Sequence, residues 1–282
     1  MEAVILKGRE VAERIRAEIA EEVLKLKRKG LTPTLAILSV GDSPDTMSYI
    51  KGVEKACNVT GIALKLKSFR EDIGREEFLS EFMNINDDPS INGIIVMQPL
   101  PSHIEMDEIR YLIKPEKDVD CISPINISKV FSGEEDGFMP CTAEAVMTVL
   151  KFYGIELKGK EAAVIGRSMV IGKPVAMMLL KQDATVTICH SKTEDLPAVT
   201  RRADIVIAAV GKPNFIKGDF IKKGAVVIDV GINVLDGKLV GDVDFEDVLR
   251  KTGMITPVPG GVGSVTTGVL LKHVVRASKL KK

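Results

Sequence analysis

Residues 162–180, AAVIGRSMVIGKPVAMMLL, hold the arrangement most readily turned to chemistry. An apolar run leads into a turn bracketed by Gly166 and Gly172 and carrying Arg167 and Ser168, and a helical run follows with Pro174 in its first turn. Glycines let a backbone approach a pyrophosphate closely, and the free N–H groups and dipole at a helix start favour the anion. The spacing is GxSxxxG rather than GxGxxG, so the glycines alone also suit a plain tight turn between strand and helix. About twenty residues on, where a dinucleotide fold reads the ribose, the next apolar run ends in Cys189-His190-Ser191-Lys192. No Asp or Glu stands there to take a ribose diol. Ser191 and Lys192, with Arg167 facing them from the glycine turn, suit the 2′-phosphate of NADP better than NAD. Lone basic residues are commonly solvated surface charges, and it is the joint placement that favours a phosphate. Two later apolar runs end in Gly211-Lys212-Pro213 and Gly231-Ile232-Asn233, where Ile232 could flank a nicotinamide.

Two further loops are unusual for mere connections: Lys117-Asp118-Val119-Asp120 after Pro115, and TPVPGGVG at 256–263. Loops this rich in Pro, Gly and carboxylate often bind ligands; the plain alternatives are a solvated charged turn and a rigid helix entry. His103, His190 and His273 receive no role, and His190 cannot pair with Cys189 because strand neighbours face opposite ways. Cys57, Cys121, Cys141 and Cys189 are far apart with no CxxC pair, so neither a disulfide framework nor a metal site is expected.

The elements that must position these groups read as two α/β series. Apolar residues at helical spacing mark residues 8–29; short β-rich runs at 34–40, 63–69 and 93–97 alternate with helical runs at 44–59 and 75–84. Gly133, Gly137 and an acidic patch place the crossing between domains in 124–140, and 143–153 reads as a linking helix. A second series of strands follows at 161–165, 185–189, 205–210 and 225–230, and a closing helix at 266–279 that packs back on the first domain. The expected domains are 1–139, with the return of helix 266–280, and 140–265, both with mostly parallel sheets. Both sums of 39 basic and 39 acidic residues cancel, leaving no field to draw nucleic acid or an anionic membrane. The longest uncharged stretch, 252–271, contains five glycines and two prolines and does not read as a membrane span, and the first ten residues are too charged for a secretory leader. A cytoplasmic protein is expected.

Taken in order, VG–P–Tyr49, KDVD, PCT, VIGRS–VIGKP, TVTICHS, ADIVIAAVGKP, VVIDVGIN, GDVDF and TPVPGGVG resemble the bifunctional methylenetetrahydrofolate dehydrogenase/methenyltetrahydrofolate cyclohydrolase (FolD) family over almost the whole chain. The resemblance implies two α/β domains with a folate cleft between them, a Rossmann-like NADP domain second, a homodimer, and hydride transfer from 5,10-methylenetetrahydrofolate in one-carbon metabolism. It implies that Tyr49 and Asp120 hold the pterin, that Pro259, Gly260, Gly261, Val262 and Gly263 close the cleft, and that Gly166, Arg167, Ser168, Gly172, Ser191 and Ile232 bind NADP. The family pattern has lysine four residues after Tyr49, where this chain has Val53, and glutamine where it has Met97, with Gln98 one place late. The resemblance assigns cyclohydrolysis to those two groups, so an NADP-dependent dehydrogenase with impaired hydrolysis is expected; the alternatives are a fully bifunctional enzyme and a non-catalytic NADP-binding relative. Further departures are Cys121, Ala143 and Ser264-Val265, all on the folate side.

Overall fold

The computed structural model describes residues 3–280. The chain opens with β1 (Val4–Ile5) and α1 (Gly8–Arg28), whose Val11, Ile15, Ile19, Val23 and Leu26 make one buried stripe. Then come β2 (Thr34–Val40), α2 (Pro44–Thr60), β3 (Ala63–Phe69), α3 (Arg75–Asp87), β4 (Gly93–Val96), α4 (Met106–Leu112), α5 (Pro124–Ser132) and α6 (Cys141–Phe152). These are followed by β5 (Glu161–Ile165), α7 (Gly172–Lys181), β6 (Thr185–Cys189), α8 (Leu196–Thr200), β7 (Ile205–Ala208), β8 (Val226–Asp229), the hairpin β9 (Asn233–Leu235) and β10 (Lys238–Val240), α9 (Phe245–Leu249), β11 (Met254–Ile255) and α10 (Gly263–Leu280).

The chain separates into two compact units. One comprises Arg14–Cys141 and the described residues from Thr267 on. Its sheet runs β3-β2-β4, all parallel, and the middle strand is buried along its length, which is why it reads as an unbroken apolar run. Leu38, Ile94, Phe78, Phe82 and Ile91 share its core. Because β3 lies on one flank of β2 and β4 on the other, the switch in winding falls between the carboxyl ends of β2 and β4, the place where open α/β sheets bind ligands.

The other unit comprises the described residues up to Glu13 and Thr142–Thr266. Its six-stranded sheet, β1-β11-β8-β7-β5-β6, is parallel throughout. The chain leaves β5 to form β6 on one side and returns to form β7 on the other, so here the switch lies at the carboxyl ends of β5 and β7. The two α/β units with parallel sheets are those the sequence led us to expect.

Two stretches differ from the sequence reading. The span 124–140 is not simply a crossing: it contains α5, whose Pro124 sits in the first turn, whose Ser123 side chain accepts the Asn126 N–H, and whose end is Gly133 at φ 75°. The proline and glycine that look like linker residues are the caps of a short helix. The first residues also depart from the 1–139 span, because β1 pairs in register with β11 (Val4 beside Met254, Ile5 beside Ile255) and the Gly8 N–H donates to Gly260 O at 2.8 Å.

Candidate functional site

At the end of β5 the backbone turns through Gly166 at φ 137°, where a Cβ would overlap the carbonyl oxygen of Ala209 after β7. A Cβ on Gly172, the first residue of α7, would in turn overlap the carbonyl of Gly166. Two glycines are therefore obligatory at the sheet's switch point, and they leave a side-chain-free cradle ahead of a ten-residue helix. The Ser168 hydroxyl accepts the N–H groups of Ile171 (3.1 Å) and Gly172 (3.4 Å) and so shapes the turn from within. Arg167 is exposed, as are Ser191 and Lys192. Ile165 is in register with Cys189, so Arg167 and Ser191 each stand two residues beyond paired strand ends on one edge of the sheet. His190 belongs to its own turn: its Nδ1 accepts the Lys192 N–H at 3.2 Å. A cradle that a Cβ would fill, with a guanidinium and a hydroxyl on the same edge, fits a phosphorylated dinucleotide.

Beside it, at the carboxyl end of β8, lies a cavity of about 210 Å³ lined by Asp229–Ile232, Leu239 and Pro257–Ser264. It brings two sequence-predicted groups together, Ile232 and the 259–263 turn: a Cβ on Gly263 would stand 3.3 Å from Ile232 Cδ1. Ile232 is 65% exposed, which in an apolar side chain held at a cavity mouth suits contact with a flat ring. Underneath are two buried carboxylates that sequence reasoning missed. Asp229 accepts the N–H groups of Gly231 (2.9 Å), Asp242 (3.0 Å) and Val243 (3.0 Å). Asp242 accepts those of Val210 (2.5 Å), Gly211 (2.9 Å) and Lys212 (2.9 Å), and Asn233 Nδ2 at 2.9 Å. Burial pushes the Asp229 carboxyl up to about 6, against the pull of its three backbone donors. The available signal was an aspartate closing the apolar run VVID, a place where a carboxylate must be buried and therefore bonded.

In the other unit, Tyr49 and Val53 both ride on α2, one turn apart. The buried face of that helix is Thr46, Ile50, Val53, Cys57 and Thr60; Val53 is 0% exposed, whereas Tyr49 is 38% exposed. Lys51 and Lys55 are exposed and point away from the Tyr49 side by helical geometry. Met97 follows β4 and is half-buried, and Gln98 is exposed. β4 stops at Val96, so neither Met97 nor Gln98 lies on the strand.

The KDVD loop resolves residue by residue. Lys117 is buried and donates to Asn86 O (2.6 Å) and Asp88 O (2.7 Å), closing the carboxyl end of α3. Asp118, fully buried, accepts the N–H groups of Ile122 and Ser123 and Asn126 Nδ2, each at 2.9 Å, and pairs beside Ile94 of β4. Only Asp120 reaches solvent. Its carboxyl is nevertheless pushed up by burial and by Asp118, and pulled down by hydrogen bonds from the Cys141 side chain and backbone at the start of α6. Burial, and then Asp120 and Cys141, push the Tyr49 phenol up, so the two predicted pterin ligands act on each other. His273 Nδ1 lies 2.8 Å from Val119 O, and Cys141 Sγ lies 3.3 Å from the same oxygen. No cluster of metal-ligating residues occurs among the described residues.

Comparison with known proteins agrees with this arrangement. The model described as tetrahydrofolate dehydrogenase/cyclohydrolase, NAD(P)-binding domain, matches residues 140–282, and that described as the catalytic domain of the same family matches residues 6–120. The bifunctional protein FolD of Alkaliphilus oremlandii is 53% identical over 278 residues, 98% of each chain, and that of Clostridioides difficile is 51% identical over 98% of this chain and 97% of its own. Among solved structures, the FolD methylenetetrahydrofolate dehydrogenase/cyclohydrolase of Campylobacter jejuni superposes with a TM-score of 0.97 at 44% identity over 99% of this chain and all of its own. The Trypanosoma brucei enzyme complexed with NADP cofactor and inhibitor gives 0.93 at 39% over 99% and 98%.

The raised Asp229 carboxyl has a consequence for pH. The folded state holds that proton more tightly than the unfolded chain, so its contribution to stability is complete below about pH 4 and is lost as pH rises through about 6. At 1.36 kcal/mol per unit the change is on the order of 2–3 kcal/mol. Asp229→Asn has no such titration. Its loss of stability relative to the native chain, read from urea midpoints, should be larger at pH 4 than at pH 7.5 by roughly that amount; a penalty equal at both values would contradict the assignment.

Proposed function

The chain belongs to the tetrahydrofolate dehydrogenase/cyclohydrolase family, and on that premise we propose that it oxidises 5,10-methylenetetrahydrofolate to 5,10-methenyltetrahydrofolate with NADP. The observation that carries the reading is the side-chain-free cradle of Gly166 and Gly172 at the sheet's switch point, beside a cavity that gathers Ile232 with the 257–264 turn. When bound, NADP supplies the hydride acceptor. The N–H groups at the start of α7 hold the pyrophosphate, Arg167 and Ser191 take the 2′-phosphate, and Ile232 lies against the nicotinamide. Tyr49 and Asp120 hold the pterin, and Pro259, Gly260, Gly261, Val262 and Gly263 shield it from water. Expulsion of a hydride by the folate nitrogens needs no proton transfer, so these residues contribute alignment and dryness rather than acid or base.

Hydrolysis of the methenyl product is a different demand, because water must be activated and a ring nitrogen must receive a proton. The Val53 side chain offers no proton, no charge and no exposed surface, and the Met97 side chain has no N–H to donate. We therefore read the protein as a dehydrogenase whose cyclohydrolase step is crippled. The chain is further read as a homodimer, supported by the exposed apolar side chains of the β9 strand, Val234 at 71% and Leu235 at 41%.

Three outcomes test this. Loss of a charge-assisted hydrogen bond costs about 1.5–3 kcal/mol, so Arg167→Ala should lower kcat/KM for NADP about 10- to 100-fold and leave that for NAD nearly unchanged; equal effects on both cofactors would remove Arg167 from the phosphate site. Both activities measured on one preparation should uncouple, with methenyltetrahydrofolate accumulating because hydrolysis is on the order of 10²- to 10⁴-fold slower than with a working acid–base group. Val53→Lys with Met97→Gln should restore part of it, and native hydrolysis as fast as oxidation would refute the reading. Light scattering should give twice the chain mass, and Val234→Glu should reduce it; a monomeric native protein would rule out the dimer.

A further inference from the structure

Apart from Ile232, the motifs VVIDVGIN and GDVDF supply no group to the chemistry above, yet their aspartates Asp229 and Asp242 are heavily bonded. Asp242 is 0% exposed and gathers four donors on its two oxygens. Three are the consecutive N–H groups of Val210, Gly211 and Lys212, the loop leaving β7; the fourth is the side chain of Asn233, which starts β9. The backbone of Asp242 is itself fixed from below, since its N–H donates to Asp229, and Asp229 also takes the N–H of Gly231. Ile232 is thus bracketed: the residue before it is tied to one buried carboxylate and the residue after it to the other. A Cβ on Gly231 would overlap the Asp242 carboxyl carbon, so the loop has been brought as close to that carboxylate as a backbone can come.

We propose that Asp242 is a positioning residue for the nicotinamide end of the cofactor site. Its carboxylate locks the loop after β7 to the loop after β8, and so fixes the exposed Ile232 side chain at the mouth of the cavity. The inference rests on the NADP reading of that edge. A neutral amide in place of the carboxylate can accept through only one atom and turns an NH₂ toward N–H donors, so part of the lock must open. Two loops then become free to drift, while the glycine cradle at the start of α7, which makes no bond to Asp242 among the hydrogen bonds described, stays as it is.

The test compares the native chain with Asp242→Asn, with Asn233→Ala as a milder variant that removes one of the four donors, and with Val248→Ala. The last empties part of the core under α9, touches none of the carboxylate bonds that tie the loops, and reports what lost stability alone does. NADPH affinity is read by fluorescence titration and KM for each substrate by steady-state kinetics, well below each variant's Tm. Asp242→Asn should weaken NADPH binding and raise KM for NADP about 10- to 100-fold, as expected for lost bonds to a charged group, with KM for methylenetetrahydrofolate changed less than about threefold. Asn233→Ala should give about a 3- to 10-fold effect in the same direction, and it decides the matter alone if Asp242→Asn does not fold. Val248→Ala should lower Tm and leave both KM values in place. If Asp242→Asn and Asn233→Ala lower Tm as Val248→Ala does and bind NADPH like the native chain, Asp242 is structural only and the proposal falls while the NADP reading stands. If the native chain itself binds no NADPH, the NADP reading falls and takes the proposal with it.

Discussion

Parallel sheets leave a row of loops at their carboxyl edge whose backbone N–H groups have no strand to pair with, and in this protein buried carboxylates take them up. Asp118 does this in one unit, and Asp229 and Asp242 do it in the other: Asp118 accepts two backbone N–H groups, and Asp229 and Asp242 accept three each. Burying a carboxylate is costly unless such donors surround it, and leaving the donors unpaired would be costly as well. Each carboxylate and its loop therefore stabilise one another, and the loops beside which a ligand must sit are stiffened by those bonds.

That stiffness explains why the site can do its work with so few ionisable side chains. Hydride transfer rewards alignment, and alignment is what loops tied to buried carboxylates provide. The same economy explains the expected failure of the second reaction. Proton transfer needs a group of suitable pKa within reach, and backbone rigidity cannot substitute for one. On α2 the change from wet to dry takes about 40° of helical rotation, from Tyr49 at 38% exposed to Val53 at 0%.

Much of this was legible in the sequence because of what parallel strands are. A strand buried on both faces is a continuous apolar run stopped by a turn residue, and a half-exposed edge strand alternates; β2 and β5 carry the first signal and the edge strands β3 and β6 are partly exposed, and all four begin and end at the residues expected. The strands that escaped, β1, β11 and the β9–β10 hairpin, are two or three residues long, and the helices α4, α8 and α9 are five to seven, too short for any period to register. α5 escaped because its caps are the residues that also make linkers. In the site, the glycine turn, Arg167, Ser191 and Ile232 stood out through their place at strand ends. Asp229 and Asp242 did not, since the donors that make them tolerable come from loops up to 32 residues away. Lys117 and Asp118 read as a charged turn or a ligand site and are neither, for the same reason: only the folded chain reveals that a helix end and a loop were waiting for them.

The contact between Gly8 and the 260–261 turn gives the chain's opening residues a part in a wall they seem too distant to join. Gly8 donates to Gly260 O, Leu6 donates to Ile255 O, and a Cβ on Gly8 would overlap the Gly261 carbonyl. The cavity is thus backed by a segment some 250 residues upstream that carries no motif of its own. A side chain introduced at Gly8 would keep every recognisable signature intact and still deform the turn, so the shape of this pocket depends on a residue outside its own lining.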